Sequence, residues 1–343
     1  MAGDWYVWDG SIQRPARFDG IWNGAAVQPV YEPNPDYPTG SRLARLQPFS
    51  SDSAFNTAMG SGATFETSSD TMTAALLAIA TPYINRENWS VAAYQADVED
   101  PWVTITDPST SAVVGQAWIP TSATPTGGTD KHVAIIWPDG RTVQEMYSFT
   151  RVSDTSVTSG FTLRNDMHGT GLTAGTRASG TSILGGLIRS TDLANGVIPH
   201  TLSMGIANTN LQAGFVWPAR SQDSDAGTAY TGTIPMGTMF AIPPSVNLNS
   251  LGLTTTAGMW LATCLQDYGA HIMIRSSDVT LYAELACSDT LISNMRVDFP
   301  TIRDQLRRVT NNTAGNISGG GTRRQPTAAA LYNPMYGTPM IPA

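Results

Sequence analysis

Short segments in which apolar and polar residues alternate at every second position recur along most of the chain. They include "WSVAAYQA", "WVTIT", "AVVGQAWI", "HVAIIW", "TVQEMYSF", "TLSMGIA", "AGFVWPA" and "TMFAIP". A period of two places alternate side chains on one face of a strand. Turn clusters separate the segments at short intervals, so the pattern predicts a mainly β fold: an antiparallel sandwich or jelly-roll-like body over residues 46–297. Two stretches inside that body switch to helical spacing. Ala257, Trp260, Leu261, Cys264, Leu265 and Tyr268 follow a run of capping threonines and stop at Gly269, and the strand "AHIMIR" comes next. A shorter helix follows Asp70 as cap, with Met72, Ala75, Leu76 and Ile79 on one face.

The two ends read differently from the body. Residues 1–45 hold "WYVW", three turn dipeptides (Asp9-Gly10, Asp19-Gly20 and Asn23-Gly24) and a Pro-rich connector, which predicts a small β ribbon and a linker. A ribbon of that size is marginal alone in water. Its Trp5, Trp8 and Trp22 therefore need a covering surface. From residue 298 to residue 343 the pattern predicts a short helix capped by Asp298, with Ile302, Leu306 and Val309 on one side, and then a Gly- and Pro-rich tail carrying Tyr332 and Tyr336. A tail of this composition orders only where something holds it along its length. Both ends are expected to dock into an assembly through these aromatic residues.

Composition narrows the partners. Apolar residues make up 41% of 343 residues, enough for a core, while charged residues make up 13%, against about a quarter in an ordinary domain. The net charge of −8 argues against nucleic acid, whose phosphates are bound by Lys and Arg. The basic cluster Arg307, Arg308, Arg323 and Arg324 is too sparse to reverse that. Cys264 and Cys287 make no disulfide framework, and Cys264 falls on the buried helix stripe. The start lacks the features of a signal peptide, and "AALLAIA" is too short to span a bilayer, so synthesis in the cytoplasm without membrane insertion is expected.

The chemistry-bearing residues are few. Asp130-Lys131-His132 and Asp166-Met167-His168 each place an acid two residues before a histidine, a spacing that shares one strand face and can hold a metal or form an acid/base couple. The commoner use of such an Asp is to orient or cap its loop, so Asp130, His132, Asp166 and His168 are weak candidates as metal ligands. Asp130, His132 and His168 are equally weak as catalytic groups. Neither a hydrolase elbow, a zinc-binding helix nor a phosphate loop is present, and no cofactor is indicated. A carboxylate pair for glycoside cleavage could come from Glu66, Asp97, Glu99, Glu145 or Glu284, and spacing does not choose among them. Trp137, Tyr147, Trp217 and Tyr230 lie at strand ends or in loops beside Asn, Asp and Arg. Sugars stack on exposed rings and bond polar edges, so these four are the candidate glycan ligands.

Five segments, "FNTAMGSGATF", "WIPTSATPTGGTDKHVAIIWPDGRTVQEMY", "GTRASGTSILGGLIRSTDLANGVIPHTLSM", "FVWPAR" and "IPMGTMFAIPPSVNLNSLGLTTTAGMWLATCLQDYGAHI", resemble in order a family of secreted actinobacterial proteins and related phage proteins over about residues 54–275. Asp130, His132, Arg189 and His200 fall on the shared motifs, which carry no catalytic set. The opening "W-D-G … W-N-G" is similar to minor tail proteins of actinobacterial phages. The resemblance implies a tail-tip or tail-fibre protein of the virion, made in the host cytoplasm, oligomeric, bound to other tail proteins and contacting host cell-wall glycan. An envelope polysaccharide hydrolase or lyase and a purely structural tail component are the alternatives.

Overall fold

The computed structural model describes residues 41–332 together with the backbone of the strands Trp5–Trp8 and Gln13–Ala16. Those two strands pair antiparallel, Trp5 opposite Ala16, as the opening pattern predicts. Trp22, Tyr336 and the remainder of both ends lie outside the described residues.

Strands take up 30% of the described residues against 17% in helices, so the fold is mainly β. A middle sheet orders Phe161–Asp166, Thr142–Tyr147, His132–Ile136 and Val91–Gln95. An outer sheet orders Thr150–Ser153, Ser156–Thr158, Trp102–Thr106 and Val113–Trp118. Val133, Ile135 and Met146 of the middle sheet pack against Val103, Ile105, Ala117 and Val157 of the outer one, which makes a sandwich. On the opposite face of the middle sheet, Ala134, Ile136 and Val143 join a larger core. Burial on both faces explains why "HVAII" is apolar throughout.

That larger core belongs to a six-stranded sheet ordered Arg307–Arg308, Met239–Ala241, Ala270–Ser276, Leu202–Ala207, Val279–Tyr282 and Pro82–Asn85. The sheets are mixed. Ala270–Ser276 runs parallel to Leu202–Ala207, Val279–Tyr282 to Pro82–Asn85, and Val91–Gln95 to His132–Ile136. Pro82 can begin the last strand because an edge position needs no ladder bond from its missing N–H.

Five helices are present among the described residues: α1 (Thr71–Leu77), α2 (Ser190–Asn195), α3 (Ala226–Ala229), α4 (Thr256–Asp267) and α5 (Asp289–Arg303). α4 sits where its spacing places it, with the Thr255 hydroxyl accepting from the Gly258 N–H at 2.9 Å. Two expected caps are corrected. Asp70 makes no side-chain cap bond, and Glu66 instead accepts from the Thr73 N–H and hydroxyl, both at 2.9 Å. Asp298 does not start a helix but lies within α5, which begins after Ser288 and runs through Pro300. Pro300 costs α5 one backbone donor but does not end it. The Asp298 carboxylate instead reaches the entrance of α4, accepting from the N–H groups and hydroxyls of Thr254 and Thr255 at 2.6–3.0 Å. The division expected at residue 298 therefore falls inside a helix of the body.

The Gly-rich segment after α5 is held by its own chain as far as residue 332, which corrects the expectation that neighbours must hold all of it. The N–H groups of Gly60, Ser61 and Gly62 donate to Ser318, Thr322 and Gly320 at 2.8–3.0 Å. A Cβ on Gly60 would fall 1.8 Å from the Gly320 carbonyl oxygen, so glycine permits this approach. Arg308 pairs with Glu66 and Arg324 with Asp267, each at 2.9 Å, and the Tyr332 N–H donates to Arg42.

One buried carboxylate joins the layers. Glu145, fully buried on the middle sheet, accepts from the Thr176 N–H at 3.0 Å, the Ile183 N–H at 3.1 Å, Asn165 Nδ2 at 3.2 Å, the Thr176 hydroxyl and the Ser182 hydroxyl. It was one of five carboxylates available for glycoside cleavage, and its place is structural. Glu145→Ala strips five donors of their acceptor, and leaving buried donors unsatisfied costs about 1–3 kcal/mol each before relaxation. The expected outcome is a loss of at least about 3 kcal/mol in urea unfolding, or failure to fold.

Candidate cleft between the sandwich and the six-stranded sheet

Thr81, Tyr83 and Asn85 project from one side of the edge strand Pro82–Asn85, while Pro82 and Ile84 point into the core. In the parallel register Tyr83 lies beside Thr280 and Asn85 beside Tyr282, so these side chains tile one sheet face. The turn after the strand carries Glu87, Asn88 and Trp89, and the loop before His132 supplies Thr129 and Asp130. With Arg275, Ser276, Ser277 and Asp278 they enclose a cleft of about 630 Å³. That volume fits a small-molecule or oligosaccharide ligand.

Two aromatic rings stand in this cleft half in solvent, Trp89 at 49% and Tyr83 at 42% exposure. Both are held in place. Trp89 has φ +50°, an outlier for a bulky residue, and its N–H donates to the Gly127 carbonyl at 2.9 Å. Gly128, at φ +87°, lies under the indole: a Cβ there would stand 2.6 Å from Trp89 Nε1. A side chain kept at such a backbone cost, with its ring in solvent, is the kind of feature that clusters at ligand sites. The ring of Tyr83 rests on the Arg296 guanidinium, 4.4 Å from ring centre to Cζ. Arg296 also donates to the Ile84 carbonyl and to Glu87 at 3.2 Å. Burial opposes ionisation of Glu87, but hydrogen bonds from its own backbone, Arg86 and Arg296 outweigh it and hold the pKa down to about 2. Glu87 is thus a fixed anion and not a proton donor.

The residues singled out from sequence are scattered. Trp137 is buried, 6% exposed, and meets Trp102 and Trp118 edge to face at 5.8 and 5.2 Å inside the sandwich, so it is no surface ligand. Tyr230 is 7% exposed and donates to Asp223 under Arg275. The rings of Trp217 and the buried His271 meet at 81°, 6.4 Å between centres. Tyr147 is 39% exposed and stands over His132 at 5.4 Å, outside the cleft lining. Of the assembly candidates, Tyr332 joins the pairing of Ala330–Leu331 with Ser41–Arg42, and the side chains of Trp5 and Trp8 lie outside the described residues.

Neither Asp–His pair makes a site. Lys131 has φ +46°, which breaks the strand alternation, so Asp130 lines the cleft while His132 is buried. Asp166 accepts from the His168 N–H at 2.8 Å and pairs with Arg141 at 2.6 Å. It closes its turn. No group of three His, Cys, Asp or Glu among the described residues converges as a metal ion would need. Glu284 pairs with the buried Arg189 at 2.7 Å, and His200 bonds Asp192 at 3.0 Å, so the Arg189 and His200 positions belong to a buried network.

No family model matches the chain, and neither a curated protein nor a solved structure matches it.

Trp89 and Tyr83 are not among the site candidates from sequence: Trp89 reads as the start of a strand, and Tyr83 carries a signal in its alternation with the apolar Pro82 and Ile84 beside Thr81 and Asn85. Two buried histidines give the fold a pH response. Burial, with Arg177 nearby, pushes His132 down from its ordinary 6.5 to about 3, and burial pushes His271 to about 4. A histidine with a depressed folded pKa stabilises the fold above the unfolded value of 6.5 and loses that contribution as pH falls. Between pH 7.5 and pH 5 each should cost about 2 kcal/mol. His200, raised by Asp192 against the effect of burial, acts in the opposite sense. His271→Phe should therefore shrink the loss of unfolding free energy between pH 7.5 and 5 by about 2 kcal/mol. An unchanged loss would show that His271 titrates normally.

Proposed function

We propose that the protein binds saccharide in the cleft between the six-stranded sheet and the sandwich. The observation that carries this reading is the pair of immobilised, half-exposed rings, Trp89 and Tyr83, among short polar side chains. Sugar rings present flat C–H faces that bury apolar area on an indole, while Asn85, Asn88, Thr81, Thr129, Ser276 and Ser277 can exchange hydrogen bonds with hydroxyls. A rigid aromatic ring loses little conformational freedom on binding, so its stacking converts efficiently into affinity.

The setting we propose is the tail tip of a phage, where the chain would be a structural and receptor-binding component assembled with other tail proteins and with copies of itself. This rests on the opening Trp- and turn-rich ribbon and the resemblance to minor tail proteins. Host cell-wall glycan is the ligand in that setting. Antibody labelling of virions should mark the tail end; label confined to lysate would remove the virion setting while leaving the cleft.

Trp89→Ala and Tyr83→Ala should each weaken binding to wall polysaccharide about tenfold, the equivalent of burying part of one ring. Trp137→Phe should leave affinity unchanged. Isothermal titration reads the effect, with circular dichroism confirming the fold. Binding unaffected by both cleft variants would overturn the assignment, and release of reducing or unsaturated sugar would turn it into an enzyme's site.

A further inference from the structure

We infer that the cleft selects saccharides bearing free, protonated amines over those bearing carboxylate or phosphate. The inference deepens the saccharide reading above and rests on it. Four charged side chains line the cleft: Glu87, Asp130, Asp278 and Arg275. Arg275, its one cationic lining group, is already committed. Its Nη1 lies 2.9 and 3.0 Å from the two carboxylate oxygens of Asp225, and its Nη2 lies 3.6 Å from Asp223. Glu87 is likewise neutralised, by Arg86 at 2.8 Å and Arg296 at 3.2 Å.

The other two acids differ. Among the described residues no guanidinium or ammonium group lies within ion-pair distance of Asp130 or Asp278, and their recorded side-chain bonds come from the Thr129 hydroxyl at 3.2 Å and the Ser277 hydroxyl at 2.9 Å. Arg177 lies behind Asp130, buried against the face of Tyr282 at 5.2 Å and within electrostatic reach of Glu145 as well. Lys131, the chain's only lysine, follows Asp130 but does not line the cleft. Asp278 is therefore the least compensated charge facing the ligand space. Arg86 and Arg296 stand on Glu87 and Arg275 on Asp223 and Asp225, while Arg177 is buried and donates to the Ile183 carbonyl; the carboxylates of Asp130 and Asp278 stand in front. A cleft with low-dielectric walls concentrates such a field. An anionic sugar entering it meets like charge with no free arginine to receive it, whereas an ammonium group on a sugar ring gains a partner.

The test uses the full chain, at low salt and at a pH where glucosamine is protonated. Three probes are titrated: an oligosaccharide of glucosamine, its fully N-acetylated twin and an oligogalacturonate of equal length. The deacetylated oligomer should bind about tenfold more tightly than its twin, with the galacturonate weakest. Raising salt to 0.5 M should erase most of the difference. Asp278→Asn should cut the amine's advantage about fivefold, as loss of one partly exposed ion pair does, and leave the N-acetylated affinity within about twofold. Equal affinities for amine and acetamide, or tighter binding of galacturonate, would overturn the charge selection while the saccharide reading stands. Failure of all three probes to bind would overturn both.

Discussion

The carboxylate of Glu145 is the interaction on which the arrangement of layers depends. It sits fully buried on the middle sheet and accepts only from donors: two backbone N–H groups, one amide and two hydroxyls. Burial pushes its pKa up, and the donors oppose that. The donors all come from residues 165–183, a stretch without a helix that leaves the middle sheet and crosses toward the six-stranded one. Without an acceptor at this point, several buried N–H and O–H groups would be stranded, a cost that apolar packing alone does not offset. The same stretch delivers Arg177 beneath Tyr282, and beyond it Ile188 bridges to Ala283. The floor of the cleft is thus tied to an acid on the opposite sheet.

The cleft follows from how the two sheeted layers meet. The six-stranded sheet covers one of its faces with apolar contacts, and its edge strand leaves Thr81, Tyr83 and Asn85 on the other. The sandwich contributes only loops there, around Trp89 and Asp130. Rigidity comes from local chemistry at each ring: a left-handed backbone and a glycine under Trp89, a guanidinium under Tyr83. A preformed aromatic site of this kind pays little ordering entropy on binding, which suits recognition of a weakly interacting, highly hydrated ligand.

Local pattern carried the strands and the helix Thr256–Asp267 directly from the sequence, because alternation and a threonine cap are properties of neighbouring residues. Parallel pairings such as Val91–Gln95 with His132–Ile136 were not legible, since they depend on crossovers many residues long. Trp137 shows where a local signal was present and misread. It continues the register of Val133 and Ile135, which marks it as core, yet its place at the strand end near Asp139 and Arg141 puts it among the glycan candidates. Trp89 opens the alternating segment "WSVAAYQA", which sets it on the face of Val91, but its positive φ takes it out of the strand, which begins at Val91. The exposed placement of Trp89 rests on Gly127 and Gly128, nearly forty residues away. Asp298 is the same lesson for caps: it serves the helix that precedes it in the chain, across a tertiary contact.

The measurement that tests the account most directly is fluorine NMR of protein labelled with 5-fluorotryptophan, titrated with wall saccharide. The chain has nine tryptophans, and single Trp→Phe variants assign the resonances. The account predicts that the Trp89 resonance moves with saturation while those of Trp102, Trp118 and Trp137 stay in place. A stationary Trp89 resonance in the presence of bound saccharide, or a shift centred on Trp217, would contradict it.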